Sequence, residues 1–414
     1  MHSLQRLIIL CLVCSSAVGL TAQNAFVDLI GDHQRPQVVN FRLVQGFVVV
    51  DVYLQYIFKT SFIIDSGAKH TIVFRKDLAK LTGMNLNREI SLKGSDIVTD
   101  VKAYVANGVN IQLDKCPNVK RDILVLEYDY LRFGEFIGEE IHGIIGGEFF
   151  RNLVVEMDFV KNKIQLWHPN HHKNSKIKEY RSCEVEFIDF KPYIRSSLIT
   201  GDSARVPLNL LFDTGASISV LLYQDPITGA KIPGNVIPGT LGKGLGGDLY
   251  GYIGRLNELT IDDAYRLHHP IAYFQQVENT ELKKVKTDKN GILGNQIISR
   301  FDVIIDYHKE KLYLKPNRNL NQEFVYDRSG LTVFAYGSEL KKYVITEVLP
   351  GSPAHEAGLK PGDVIKKIGL CPIGFYKLSD INSMLTGKPG KKIKIKIMRE
   401  NKVLKKEFVL RDLF

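Results

Sequence analysis

Two short stretches of the chain each deliver an aspartate into a tight hydroxyl–glycine turn. They are Phe62-Ile63-Ile64-Asp65-Ser66-Gly67-Ala68 and Leu210-Leu211-Phe212-Asp213-Thr214-Gly215-Ala216. In each, an apolar run of the kind that forms a buried strand ends on a carboxylate, and the glycine lets the backbone turn sharply. A single such triplet is an ordinary surface turn. Two that face each other bring two carboxylates together, and such a pair holds one proton because both members cannot stay charged in contact. The charged carboxyl then acts as general base on a water, and the protonated one donates to a carbonyl oxygen. Asp65 and Asp213 are the candidate catalytic residues. Ser66, Gly67, Thr214 and Gly215 are the residues expected to hold the two turns together.

The elements that must position these turns occur twice. Asp65 and Asp213 lie 213 − 65 = 148 residues apart, and Gly143-Ile144-Ile145-Gly146 and Gly291-Ile292-Leu293-Gly294 share that offset. So do Asp158 and Asp306, Lys161 and Lys309, Lys163 and Lys311, and Leu166 and Leu314. Repetition without a gap predicts two copies of one β-rich lobe. Alternating β-branched and aromatic residues from Phe47 to Tyr53 predict a strand, as does the run into Asp65. A hairpin turning at Lys161-Asn162 is expected over Leu153 to Trp167. The seam between lobes falls at His168 to Lys178, whose histidines read as a solvated linker.

The second copy carries a glycine-rich stretch from Gly239 to Gly251, in which Gly242, Gly244 and Gly247 match G-x-G-x-x-G. A dinucleotide site needs a strand before that motif and a helix after it. Tyr250-Gly251-Tyr252-Ile253-Gly254 is no helix start, so a hairpin tip is expected, with Gly94 to Tyr104 as its counterpart.

From Glu323 the pattern changes to a third unit of about ninety residues, a size suited to a small domain. Ser352 as N-cap, Pro353 at the first helical position and Gly358 beyond the end predict a short helix. A second is expected from about Ser379 to Thr386. Lys391 to Ile397 alternates lysine with isoleucine, the pattern of a strand with one solvated face. That localises part of the +10 net charge without invoking nucleic acid.

The whole chain, 414 residues with 44% hydrophobic and 24% charged, suits a globular protein of two or three domains. Arg6, the apolar core Leu7 to Val13 and the small residues Ser15 to Gly19 read as an export signal over residues 1–22. Its removal takes away one positive charge, leaving +10 − 1 = +9, and no transmembrane segment is expected in the mature chain. Cys116, Cys183 and Cys371 then remain, one per segment, and are expected to be buried and unpaired. The expected boundaries are 24–170 and 171–318 for the lobes and 322–414 for the third unit.

The Asp-Ser/Thr-Gly-Ala loops, followed by Thr71-Ile72 and Ser219-Val220, resemble the retropepsin-like aspartic peptidases. The apolar-apolar-Gly elements ending at Gly146 and Gly294 match the same family. The resemblance covers roughly residues 40 to 316. It implies two pseudo-symmetric β-barrel lobes in a pepsin-like bilobal arrangement, a polypeptide substrate and no cofactor or metal. It also implies that Gly94, Gly242 and Gly244 belong to flaps. Where retroviral enzymes carry an arginine, this chain has Gly147 and Asn295. Ser352 to Ile365 (S-P-A-x-x-A-G-L-K-x-G-D-V-I) looks like a PDZ domain of the bacterial HtrA-like type, a small α+β fold. That resemblance implies a peptide or C-terminal ligand at Gly330, Leu331, Thr332 and Val333, by strand addition. The chain's own tail, Arg411 to Phe414, is a candidate self-ligand. Together the resemblances imply an exported aspartic endopeptidase in the periplasm or cell envelope of a Gram-negative bacterium, or secreted. The alternative is a peptide-binding protein without catalysis.

Alanine at 68 and 216 stands where pepsin-like enzymes place a hydroxyl that stabilises the ionised aspartate. Its loss implies an optimum of about pH 5–7. His355-Glu356 has Leu359 where a zinc-protease helix has its second histidine. Lys69 and His70 are expected to face solvent.

Overall fold

The computed structural model describes residues 34–93, 100–172, 177–199, 205–224, 234–244, 247–276 and 289–414. The expected export signal over 1–22 and Gly94 lie outside these. The fold is mainly β, its described strands forming sheets of thirteen, ten and six strands.

The strand Phe58–Asp65 runs between two partners. It pairs antiparallel with Phe47–Leu54, setting Ile63 opposite Val49, and parallel with Gly143–Gly146. Its last four residues are buried, the signature of a strand covered on both faces. The second aspartate strand, Arg205–Phe212, lies between Lys191–Ile199 and Gly291–Leu293. Phe62 pairs with Gly143 and Leu210 with Gly291, so the 148-residue spacing of the sequence recurs as the same parallel pairing.

Two hairpins join these halves. Val154–Asp158 pairs with Lys163–Trp167, and Phe301–Asp306 with Lys311–Pro316. The inner strands of the two hairpins then pair with each other, with Met157 opposite Val303 and Glu156 opposite Ile304. Glu156 and Ile304 are 304 − 156 = 148 apart, so each faces its own counterpart. One apolar cluster runs from Val39 to Phe324 through both halves, including Ile64, Phe150, Phe212 and Tyr307. The two halves therefore share a core and cannot separate without exposing it.

The seam is less solvated than its composition implies. The His172 side chain is buried, its Nε2 lies 2.7 Å from Glu156 Oε1, and its ring meets Trp167 edge-on. Glu156 is itself largely covered by the central sheet, and the imidazole supplies its polar partner. Cysteines 116 and 183 are buried, and burial pushes both thiols up to about 12. Cys371 departs from expectation: it is exposed, in a two-residue strand off the path of the third sheet.

The third sheet runs Leu331–Tyr336, Lys342–Val348, Val364–Ile368, Lys392–Arg399 and Lys402–Val409 in that order. Ile393, Ile395 and Ile397 are buried while the intervening lysines are exposed, as the alternation requires. Ser352 caps the Pro353–Glu356 helix, its Oγ accepting from the His355 amide at 3.2 Å. The second helix spans Leu378–Leu385.

Ile304 is fully buried in the sheet that joins the halves. Ile304→Ala is expected to lower unfolding free energy by about 2–5 kcal/mol, read from the urea midpoint. A shift equivalent to less than about 0.5 kcal/mol would show that this junction is not packed as described.

Candidate active site

The aspartate turns are locked to one another by four hydrogen bonds. Ser66 N–H donates to Thr214 Oγ1 at 3.0 Å, and Thr214 N–H donates to Ser66 Oγ at 3.0 Å. Each hydroxyl then donates onward across the junction, Ser66 Oγ to the Phe212 carbonyl at 2.7 Å and Thr214 Oγ1 to the Ile64 carbonyl at 2.8 Å. Thr214 is fully buried and Ser66 nearly so, which leaves water no role in satisfying these groups.

This lock sets the carboxyls face to face. A Cβ on Gly67 would lie 2.5 Å from Asp213 Cγ, and one on Gly215 would lie 2.4 Å from Asp65 Cγ. Each turn therefore needs glycine because the opposite carboxyl occupies the space. Asp65 Oδ1 accepts from the amides of Gly67 and Ala68, both at 2.9 Å, and Asp213 Oδ1 accepts from Gly215 N–H at 2.7 Å. These bonds fix the inner oxygen of each carboxyl.

Burial holds the Asp65 carboxyl well above the usual carboxylate range, with the charge of Asp213 and a hydrogen bond to it acting the same way. The Ala68 and Gly67 amides oppose the rise without cancelling it. A proton retained in the folded state stabilises fully below the unfolded value, and that stability is lost as pH rises through the folded one. Tyr307 lies close enough for the Asp65 charge to act on it; burial is the larger cause of its raised phenol value. Its ring stacks on Phe150 and meets Phe187 edge-on.

Around the turns stand residues that the motif alone does not assign. Gly147 leaves room for the Phe190 carbonyl, which an added Cβ would approach to 2.5 Å. Its counterpart Asn295 donates from Nδ2 to the Thr214 carbonyl at 2.6 Å, bracing the second turn from below. The resemblance to retroviral enzymes, which carry an arginine here, already singled out this position. Lys69 and His70 do not face solvent as expected. Lys69 Nζ pairs with Asp189 of the opposite half at 2.8 Å, and buried His70 meets Glu148 at 2.8 Å through Nδ1. Glu148 also holds Arg151 at 2.7 Å. Asp189 and Glu148 lie 120 and 78 residues from their partners, and only the folded chain brings them together.

Gly242 and Gly244 lie on the hairpin formed by Val236–Gly244 and Gly247–Arg255, opposite Leu249 and Gly247. Among the described residues, no group of three or more His, Cys, Asp or Glu side chains is arranged to hold a metal.

In the third unit Gly330 takes a left-handed conformation (φ +79°) against Ser352, and Leu331, Thr332 and Val333 begin the edge strand. The loop amides already have internal acceptors. Ser329 and Gly330 N–H donate to Asp327 Oδ2 at 3.1 and 2.5 Å, and Leu331 N–H donates to Ser329 Oγ at 3.1 Å. The tail is not seated on that strand. Phe414 lies 5.2 Å from the Tyr326 ring and under the Arg255 guanidinium, and with Leu413 packs against Ile237 and Leu349.

A family model described as a PDZ domain matches residues 344–399. Those residues form a PDZ domain. No curated protein matches the chain. Among solved structures, basic 7S globulin from soybean is 8% identical over 70% of this chain and 97% of that one, with a TM-score of 0.43. The photosystem II D1 C-terminal processing protease is 22% identical over 21% of this chain and 23% of that one, with a TM-score of 0.20.

Thr214→Val strands the Ser66 amide without its acceptor and the Ile64 carbonyl without its donor. It is expected to cost about 2–5 kcal/mol in chemical denaturation, with Thr214→Ser restoring most of the loss. Equal stability of the three proteins would contradict the lock. Asp65→Asn removes a buried ionisable carboxyl, so its stability relative to wild type should improve as pH rises from acid to alkaline. A difference independent of pH in paired melts would show that Asp65 titrates as it does in the unfolded chain.

Proposed function

We propose that the chain is an aspartic-type endopeptidase. In this reading the two halves are retropepsin-like lobes fused in one chain, exported to the cell envelope, and the PDZ domain recruits polypeptide. The observation that carries it is the reciprocal Ser66–Thr214 lock, which leaves Asp65 and Asp213 facing each other in a buried site.

In that arrangement the ionised carboxyl takes a proton from water as the water oxygen bonds to the scissile carbonyl carbon. The protonated carboxyl donates to the carbonyl oxygen, giving a neutral tetrahedral diol. A proton then passes from the dyad to the amide nitrogen, the C–N bond breaks as a diol hydroxyl gives its proton back to the dyad, and acid and amine products leave with one proton again on the pair. The Gly67, Ala68 and Gly215 amides keep the carboxyls oriented throughout, so little reorganisation accompanies the charge movement.

Activity requires one proton on the pair, so it falls in acid when both carboxyls are protonated and in alkali when neither is. The raised Asp65 value moves the alkaline limb upward, consistent with alanine at 68 and 216. The expected profile peaks at about pH 5–7. A maximum at about pH 3 would remove the argument from the missing hydroxyls.

Digestion of an unfolded protein by wild type, Asp65→Asn and Asp213→Asn tests the assignment itself. Wild type is expected to produce fragments, and each variant to lose at least about 1,000-fold in rate, since neither carboxyl acts alone. Cleavage unchanged in both variants, or absent in wild type, would leave a peptide-binding protein without catalysis.

A further inference from the structure

The PDZ edge strand is covered by the first half of the chain. Leu331–Tyr336 ends the third sheet, with Lys342–Val348 on one side and the Leu378–Leu385 helix nearby. An edge strand beside a helix is where an extended peptide adds to such a domain. Here the short helix Phe133–Ile137 packs against that strand. Phe136 meets Phe334 edge-on with centroids 5.7 Å apart, and the Arg132 guanidinium lies over the Tyr336 ring at 5.4 Å. At the far end Gly138 closes on the start of the Leu378–Leu385 helix, where an added Cβ would stand 2.7 Å from Leu378 Cβ. Gly138 is left-handed (φ +79°), so glycine is required there for both reasons. Glu139 completes the rim, 3.9 Å from Lys377 and 3.6 Å from Arg42.

We propose that the Phe133–Ile137 helix is a built-in occupant of the PDZ peptide groove, which an external peptide must displace in order to bind. The contact spans the groove from strand to helix, which a chance touch between domains would not require. It is also suited to displacement. A helix keeps its backbone hydrogen bonds to itself, as the Gly138 N–H does to the Gly134 carbonyl at 2.8 Å, whereas an incoming strand would add a row of bonds to the edge. Phe133 stays anchored on the other side, stacked on Phe74 at 5.4 Å and edge-on to Phe47 at 5.6 Å. The helix would thus swing from a fixed root. Six residues beyond its end begins Gly143–Gly146, the strand paired with the one that carries Asp65.

The proposal concerns binding and does not depend on catalysis. Its test uses the full chain and a fluorescein-labelled decapeptide pool randomised at its last four positions, supplied with free or amidated ends, and read by fluorescence polarisation. Phe136→Asp removes the ring contact and Lys377→Glu sets like charges against Glu139 at an exposed position, with melting curves establishing that both proteins fold. Each variant is expected to bind the pool about tenfold more tightly than wild type, because the groove is open for a larger fraction of the time. Equal binding by the three proteins, or binding by none, overturns the proposal.

Discussion

The structure depends on the exchange of hydrogen bonds between Ser66 and Thr214. Each hydroxyl accepts from the other's amide and donates to a carbonyl two residues before it, so four buried hydrogen bonds form only when the two halves meet. The aspartates are adjacent in sequence to these residues and have no separate freedom to move apart. Two carboxyls forced together in an apolar surround must share a proton. The chemistry proposed for the site follows from that constraint. The paired hairpins and the common core supply the stability that holds the constraint in place.

The strands that carry the two aspartates were legible because a strand covered on both faces leaves little sequence freedom. The runs into Asp65 and Asp213, and the Gly-Ile-Ile-Gly and Gly-Ile-Leu-Gly strands beside them, show it in register. The Ser–Thr lock was legible for the same reason, since its members sit within the repeat. Partners chosen by the tertiary fold were not. Nothing local ties Lys69 to Asp189, His70 to Glu148 or His172 to Glu156, because an ion pair carries no periodicity. Asn295 lay between these cases: its position was marked by the arginine that retroviral enzymes carry there, and its hydrogen bond to the Thr214 carbonyl was not.

The PDZ domain shows the same division. Its capped helix and lysine-faced strand follow from short-range rules. Its placement follows from Phe136, in a helix of five residues, too short to display an amphipathic pattern. The domain contacts both halves, through Phe334 on one side and through Leu349 beside Ile237 on the other. A cleft of about 380 Å³ remains between the root of the glycine-rich hairpin and the tail residues Arg411 to Leu413. The tail thus helps seat the domain and leaves its edge strand to the first half.

The central claim is that Asp65 and Asp213 hold one proton between them in the folded chain. Carbon-13 NMR of protein labelled at the aspartate carboxyls, titrated with pH and assigned through Asp65→Asn and Asp213→Asn, measures this directly. The account predicts two coupled steps, the second well above the ordinary carboxylate range, with one proton retained between them. Two carboxyls titrating together near the ordinary value of about 4 would contradict it.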